Sequence, residues 1–257
     1  MLIVISPAKT LDFETAPITN DYSQPGFLKE SRQLVSQLKK LTPTEVSSLM
    51  KVSDKLGVLN FLRFNEWKTP FTLDNSKQAL LAFKGDVYTG IDAGTFSNQN
   101  LKFAQKHLRI LSGLYGVLKP LDLIQAYRLE MGVKFENKKG KGLYEFWASK
   151  LTDQINQDLK DSKSKHLINL ASNEYFKSLQ TGDINAEIIV PVFKDYKNGK
   201  YKIISFFAKK ARGQMSAYII KNKLKDPEDI KDFNVDGYKF NKSASSESNW
   251  VFQRRQN

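Results

Sequence analysis

An Asn198-Gly199 pair separates two apolar runs, residues 186–193 and 201–208, inside the segment Asp195-Tyr196-Lys197-Asn198-Gly199-Lys200. Asn and Gly tolerate the positive φ angles of a type I′ turn, whose twist matches that of the strands it joins. The pair therefore predicts a β-hairpin, which brings antiparallel pairing into whatever sheet these runs enter. Other strand-like runs lie far apart: residues 2–6, cut by Pro7; the start of residues 109–132, broken at Gly113 and Gly116 and turned at Pro120; and residues 165–171. Helical patterns separate them. Strands dispersed among helices, with at least one antiparallel hairpin, predict an α/β fold with a mixed sheet surrounded by helices.

The helices are marked by spacing and caps. Leu34, Val35, Leu38 and Leu41 share one face of residues 27–41. Thr42-Pro43-Thr44-Glu45 has the form of a capping box with Pro at the first helical position, so a short helix runs toward Met50. A further helix is predicted from Asp54, burying Leu56, Leu59 and Leu62, with others at residues 76–83 and 98–107. Trp147, Leu151, Ile155 and Leu159 stack at four-residue spacing on one longer helix, and residues 212–224 read as the last. Residues 137–142, basic and glycine-rich, form a flexible loop. With no repeat, heptad series or low-complexity tract, a single domain over residues 1–257 is expected.

Charge and composition narrow the function. Lys and Arg number 40 against 27 Asp and Glu, giving a net charge of +13 and a pI near 9.6. Such an excess points to a polyanion, either nucleic acid or an acidic membrane surface. A lysine-rich genome would produce the same sum, so the distribution of charge matters more than its total. No apolar run approaches the ~20 residues needed to span a bilayer. The opening MLIVISPAK lacks the basic start and long apolar stretch of a signal peptide, and there is no cysteine to form a disulfide. The cytoplasm is the expected location. Without cysteine, and with only His107 and His166, neither a metal site rich in thiolate or imidazole nor a cofactor is expected.

Four segments share one texture: an apolar run ends, and charged or amide side chains follow at once. Residues 6–13, SPAKTLDF, present Lys9, Thr10 and Asp12; residues 109–132 present Asp122, Gln125, Tyr127, Arg128 and Glu130. Residues 168–176, INLASNEYF, place Ser172, Asn173 and Glu174 after a strand; residues 204–215, ISFFAKKARGQM, place Lys209, Lys210 and Arg212 between a strand and a helix. In α/β sheets, ligands favour crevices beyond strand ends. Converging ends would assemble Lys9, Asp12, Arg128, Glu130, Asn173, Glu174, Lys209 and Arg212, whereas any one segment alone reads equally as a cap or a surface ion pair.

Residues 200–225 hold eight lysines and arginines and no acid, interleaved with Tyr201, Phe206, Phe207 and Tyr218. A helix start expected near Arg212 would offer phosphate oxygens both backbone amides and a guanidinium. Lys200 and Lys202 would share one strand face. Lys200, Lys202, Lys209, Lys210 and Arg212 are thus the candidate nucleic-acid contacts, reading backbone and shape rather than bases. A solvated strand and helix face would have the same composition.

Several runs carry a family likeness: SPAKTLDF, FKGDVYTG (83–90), ILSGLYGVLKPLDLIQAYRLEMG, LYEFW (143–147), INLASNEYF and FAKKARGQMSAYII (207–220). Over nearly the whole chain they resemble the YaaA family of bacterial peroxide-stress resistance proteins. The resemblance implies a cytoplasmic protein that limits oxidative damage to DNA and proteins and keeps unincorporated iron low. It also implies binding of double-stranded DNA, and a family-specific fold with a basic cleft and a helix-hairpin-helix element. Ala126 stands before Tyr127 where the family pattern expects proline, which loosens a turn without removing a functional group. The place for a helix-hairpin-helix is the helix from Pro43 to Met50, the link Lys51-Val52-Ser53 and the helix from Asp54. The glycine-rich hairpin usual in such motifs is absent and Gly57 falls inside the second helix, so an ordinary helical hairpin covering the sheet fits the same residues.

Two functions of different class follow. The first is a monomeric, DNA-binding stress-protection protein. The alternative is an enzyme acting on damaged nucleic acid or on a phosphorylated small molecule in the same basic cleft. There Asp12, Glu130 and Glu174 lie among Lys9, Arg128 and Lys209, a mixture able to tune a general acid–base pair. No nucleophile–base arrangement is recognisable. A direct iron site, made from Asp12, Asp122, Glu130 or Glu174 alone, is the weakest reading.

Overall fold

Leu2–Ile5 is buried along its whole length because it forms an inner strand of the main sheet, paired on both edges. The computed structural model describes residues 1–255. Its strands are β1 (Leu2–Ile5), β2 (Thr10–Leu11), β3 (Lys77–Gln78), β4 (Phe83–Lys84), β5 (Leu108–Ser112), β6 (Gly116–Leu118), β7 (Leu123–Ile124), β8 (His166–Leu170), β9 (Glu187–Lys197), β10 (Lys200–Lys202), β11 (Lys239–Phe240) and β12 (Asn249–Arg254). Its α-helices are α1 (Leu28–Leu38), α2 (Pro43–Met50), α3 (Asp54–Glu66), α4 (Ala79–Ala82), α5 (Asp86–Ile91), α6 (Asn98–His107), α7 (Leu143–Trp147), α8 (Lys150–Asp161), α9 (Asn173–Phe176) and α10 (Ser205–Lys221).

The main sheet has the order β11-β12-β9-β8-β1-β5-β6, with β10 bonded to β9. Its five inner strands, β12, β9, β8, β1 and β5, run parallel, while β6, β10 and β11 pair antiparallel. β2 with β4 and β3 with β7 make two short antiparallel ladders outside it. This is the mixed α/β sheet with an antiparallel hairpin that the sequence predicts. Asn198 and Gly199 take φ of 55° and 78° at the β9–β10 turn, as a type I′ turn requires.

Where elements differ from expectation, tertiary contacts are the reason. Only Ala79–Ala82 of residues 76–83 is helical. Lys77 and Gln78 are instead drawn inward: Lys77 donates to the carbonyls of Asp12 and Thr15, and Gln78 to those of Thr19 and Asp21. The stack from Trp147 to Leu159 is two helices, broken at Ala148 (φ 44°), because Trp147 is fully buried with Nε1 donating to Gly113 O. In α3 the buried residues are Gly57, Asn60 and Phe64, whereas Leu59 and Leu62 are exposed. Gly57 turns that face inward: a Cβ there would strike the Ser47 side chain of α2. The second arm of the hairpin ends at Lys202, and α10 begins at Ser205, seven residues before Arg212. Ala208, Ala211, Met215 and Ile219 bury one face of α10, and this packing overrides the strand character of residues 203–208. Arg212 therefore lies inside the helix, and its backbone amide is not an open helix terminus.

Candidate functional site

β5 lies on one side of β1, and the chain then returns as β8 on the other. At such a reversal the connections leave the strands in opposite directions and open a crevice beyond their carboxyl ends. A cavity of about 420 Å³ occupies this position, lined from β1 by Ser6 and Lys9, from β8 by Ser172 and Glu174, and by Glu130, Lys209 and Arg212. The strand ends are stitched together. Ser172 N donates to Ser6 Oγ at 2.9 Å, Ser6 Oγ donates to Ser172 Oγ at 3.2 Å, and the Tyr88 hydroxyl donates to Ser6 O at 3.1 Å.

The charges within are unevenly satisfied. Glu130 Oε1 accepts from Arg128 Nε at 3.0 Å and lies 3.4 Å from Lys9 Nζ, while its Oε2 is buried with no donor. Glu174 Oε1 accepts from Gly132 N at 3.0 Å, tying α9 to the segment after Glu130. Lys209 Nζ is 3.9 Å from Asp86 Oδ2, a loose pair between half-exposed groups. The half-buried Arg212 guanidinium has no hydrogen-bonded or ionic partner among the described residues, and burial alone lowers its pKa. The Tyr88 and Tyr175 hydroxyls, buried in the wall, are held well above the ordinary tyrosine range, chiefly by burial.

Thus Lys9, Glu130, Glu174, Lys209 and Arg212 meet in one cavity, with Arg128 behind Glu130. Asp12 lines a neighbouring hollow of about 300 Å³ instead. Its carboxylate closes its own loop, accepting from Thr15 N (2.9 Å), Thr15 Oγ1 (2.9 Å) and Glu14 N (3.1 Å). These bonds, the Thr15 amide foremost, and the charge of Lys77 hold its pKa down to about 2. Asn173 opens α9 and is exposed outside the cavity lining. Lys210 is not among the lining residues and pairs with Asp236 at 3.1 Å. Lys84, Asp86 and Tyr88 line the cavity without having been singled out from the sequence. The signal was present: in FKGDVYTG, charged residues follow an apolar run, the same texture that marks the other four segments.

Lys200 and Lys202 lie apart from the cavity on the β9–β10 hairpin, where Lys197 stands directly opposite Lys200. Tyr196 and Tyr201 pack edge to face at 5.2 Å, and the Arg255 guanidinium stands 4.6 Å over the Tyr196 ring. The acid opposite Lys202, Asp195, is buried and committed to Arg254.

This set of segments can be compared with known proteins. The sequence pattern described as "Peroxide stress protein YaaA" matches residues 1–244. The chain belongs to the YaaA family. Its relatives include UPF0246 proteins of Cellvibrio japonicus, 59% identical over all of this chain and 99% of the relative, and of Colwellia psychrerythraea, 57% identical over the full length of both. A UPF0246 protein of Aliivibrio fischeri is 54% identical over all of this chain and 99% of its own length. The family's description associates it with peroxide stress. Among the described residues no helix is long and apolar enough to cross a membrane. The place expected for the family's helix-hairpin-helix holds α2 and α3, joined by Lys51-Val52-Ser53, with Lys51 rather than a glycine taking the left-handed conformation (φ 51°).

Proposed function

We propose that this protein acts in the cytoplasm under peroxide stress as a monomeric binder of double-stranded DNA, shielding it from oxidative damage. The observation that carries the reading is the Lys197–Lys200 cross-strand pair at the hairpin tip. Like charges placed directly opposite each other destabilise a strand pair, and neither lysine has a carboxylate partner among the described residues. With Lys202 and with Arg255, which stands over the Tyr196 ring, they form a cationic border suited to phosphate oxygens. Exposed Tyr201 and Phe206 lie among these cations, as in surfaces that contact nucleic acid. Any lowering of unincorporated iron is then indirect. The carboxylates Asp12, Glu130 and Glu174 are each engaged by lysine, arginine or backbone donors, and a hard cation would have to displace these.

The experiment is a titration of unrelated labelled duplexes across a salt series. Affinity that falls steeply with salt and is similar for each sequence supports the reading. Absence of binding at low salt overturns it. If binding persists when Lys197, Lys200 and Lys202 are replaced by alanine, the contact surface moves to the α2–α3 hairpin.

A further inference from the structure

We propose that the cavity beyond β1 and β8 is a pocket for one nucleotide, with the phosphate held by Arg212 and Lys209 and an N–H donor of the base received by Glu130. The inference rests on the DNA-binding reading where that nucleotide is drawn from a duplex, and stands without it where the nucleotide is free.

Size comes first. A volume of about 420 Å³ falls within the range of small-molecule pockets, roughly 300–1,000 Å³. A duplex is far too wide to enter it. Whatever reaches Arg212 is therefore a single unit, either a mononucleotide or a residue swung out of the stack.

Complementarity comes second. A carboxylate oxygen withdrawn from water without a donor is costly to keep in a folded chain, and Oε2 of Glu130 is such an atom. The same cavity is lined by Arg212, half-buried and with no acceptor for its guanidinium among the described residues. They are not paired with each other. The other oxygen of Glu130 is doubly served by Arg128 and Lys9, which fixes the carboxylate in place. A ligand satisfying both groups has an anionic acceptor at one end and an N–H or O–H donor at the other. A nucleotide with an amino-bearing base has this pattern and also a planar ring; inorganic phosphate lacks the spaced donor, and a sugar phosphate lacks the ring. Tyr88 and Tyr175 add aromatic rings to the lining, the company a base finds in pockets that receive it. Oε2 is closed to solvent here, so a base edge reaches it only when a neighbouring group moves; Lys9, whose side chain is 66% exposed and which contacts Oε1 at 3.4 Å, is the group beside Glu130 free to do so.

The test uses the full chain. Calorimetric titration with dAMP is compared with the 5′-monophosphate of 2′-deoxynebularine, which lacks the exocyclic amine, and with inorganic phosphate. dAMP is expected to bind at least about tenfold more tightly than either. Arg212→Gln should weaken dAMP by at least about tenfold, with partial recovery in Arg212→Lys, and melting curves verify that both fold. Glu130→Gln should shrink the ratio between dAMP and the nebularine nucleotide. A second arm uses a duplex carrying one 2-aminopurine, whose fluorescence rises when it leaves the stack. A rise that dAMP competes away assigns the pocket to an extruded residue; dAMP binding without a rise assigns it to free nucleotide. The proposal is overturned if neither signal appears, or if phosphate binds as well as dAMP. Salt-dependent duplex binding with neither signal leaves the DNA reading standing and removes the pocket. Nucleotide binding without duplex binding does the reverse.

Discussion

Gly90 of α5 and Gly213 of α10 meet where these helices cross, so closely that neither position has room for a Cβ. On Gly213 it would collide with Val87 O, and on Gly90 with Lys210 O. This crossing sets the position of α10 and hence of Arg212, the adjacent residue, which lines the cavity together with Val87 of the partner helix. Gly213→Ala must push the helices apart. Overpacking of this kind costs about 1–3 kcal/mol, and we expect chemical denaturation to show a loss of that order. Ligand binding in the cavity should weaken as well, because the helix carrying Lys209 and Arg212 shifts. Unchanged stability would mean that the two backbones can separate freely.

Arg109 and Asp158 form a buried bidentate pair, with Nε to Oδ2 at 2.7 Å and Nη2 to Oδ1 at 2.9 Å, linking β5 to α8. Asp158→Asn leaves the guanidinium without its counter-ion and should cost about 3–5 kcal/mol, whereas replacing both residues with apolar side chains of similar volume should cost much less. Urea unfolding of the single and double variants measures the difference. Equal losses would show that side-chain packing, not uncompensated charge, sets the cost.

These two cases mark what the sequence could reveal. Period and caps located β1, α1, α2, α6 and β8, because each depends on residues close in sequence; the Thr42–Glu45 box forms as its spacing requires. Converging strand ends were also legible, since polarity changed abruptly after each apolar run. The Arg109–Asp158 pair was not, because its partners are 49 residues apart and nothing local joins them. The early start of α10 was hidden for a similar reason. Ile203, Ile204, Phe206 and Phe207 have strand-like composition, and packing of α10 against α5 decides for helix from Ser205. Asp12 looked like its neighbour Lys9, but its bonds to Thr15 take it out of the cavity.

Asp122 should give stability a pH dependence opposite to that of most carboxylates. Burial raises its pKa to about 6, outweighing the bonds it accepts from the Ser23 hydroxyl and the Lys119 amide. The folded chain thus holds this proton more tightly than the unfolded one, whose pKa is near 3.8. Its contribution is fully present below about pH 4 and is lost as pH rises through about 6. Asp122→Asn removes the titration, so the variant should gain on the wild type between pH 4 and pH 8 by up to about 3 kcal/mol. Asp12 acts in the opposite sense: with its pKa lowered to about 2, it supports the fold above its ordinary value of 3.8 and ceases to do so as pH falls through about 2. Unfolding curves from about pH 2 to pH 8 test both, and a difference between wild type and Asp122→Asn that does not change with pH would refute the Asp122 assignment.

The two groups of basic residues should differ in their salt dependence. Removing one cation that sits on a phosphate lowers the log–log salt slope of duplex binding by about 1. Sequence alone would assign a decrease of about 2 to the Lys209→Ala, Lys210→Ala pair. The structure alters that expectation, because Lys210 already pairs with Asp236 at 3.1 Å and Lys209 lies only loosely beside Asp86 at 3.9 Å. A decrease nearer 1 is expected from this pair. The Lys197→Ala, Lys200→Ala, Lys202→Ala triple removes three cations without ion pairs and should lower the slope by about 3, equally for unrelated sequences. It should also relieve the repulsion between Lys197 and Lys200, leaving the hairpin at least as stable. Weaker binding with an unaltered slope would instead mean that these lysines act through the shape of the hairpin. An effect confined to one sequence would mean that bases are read there.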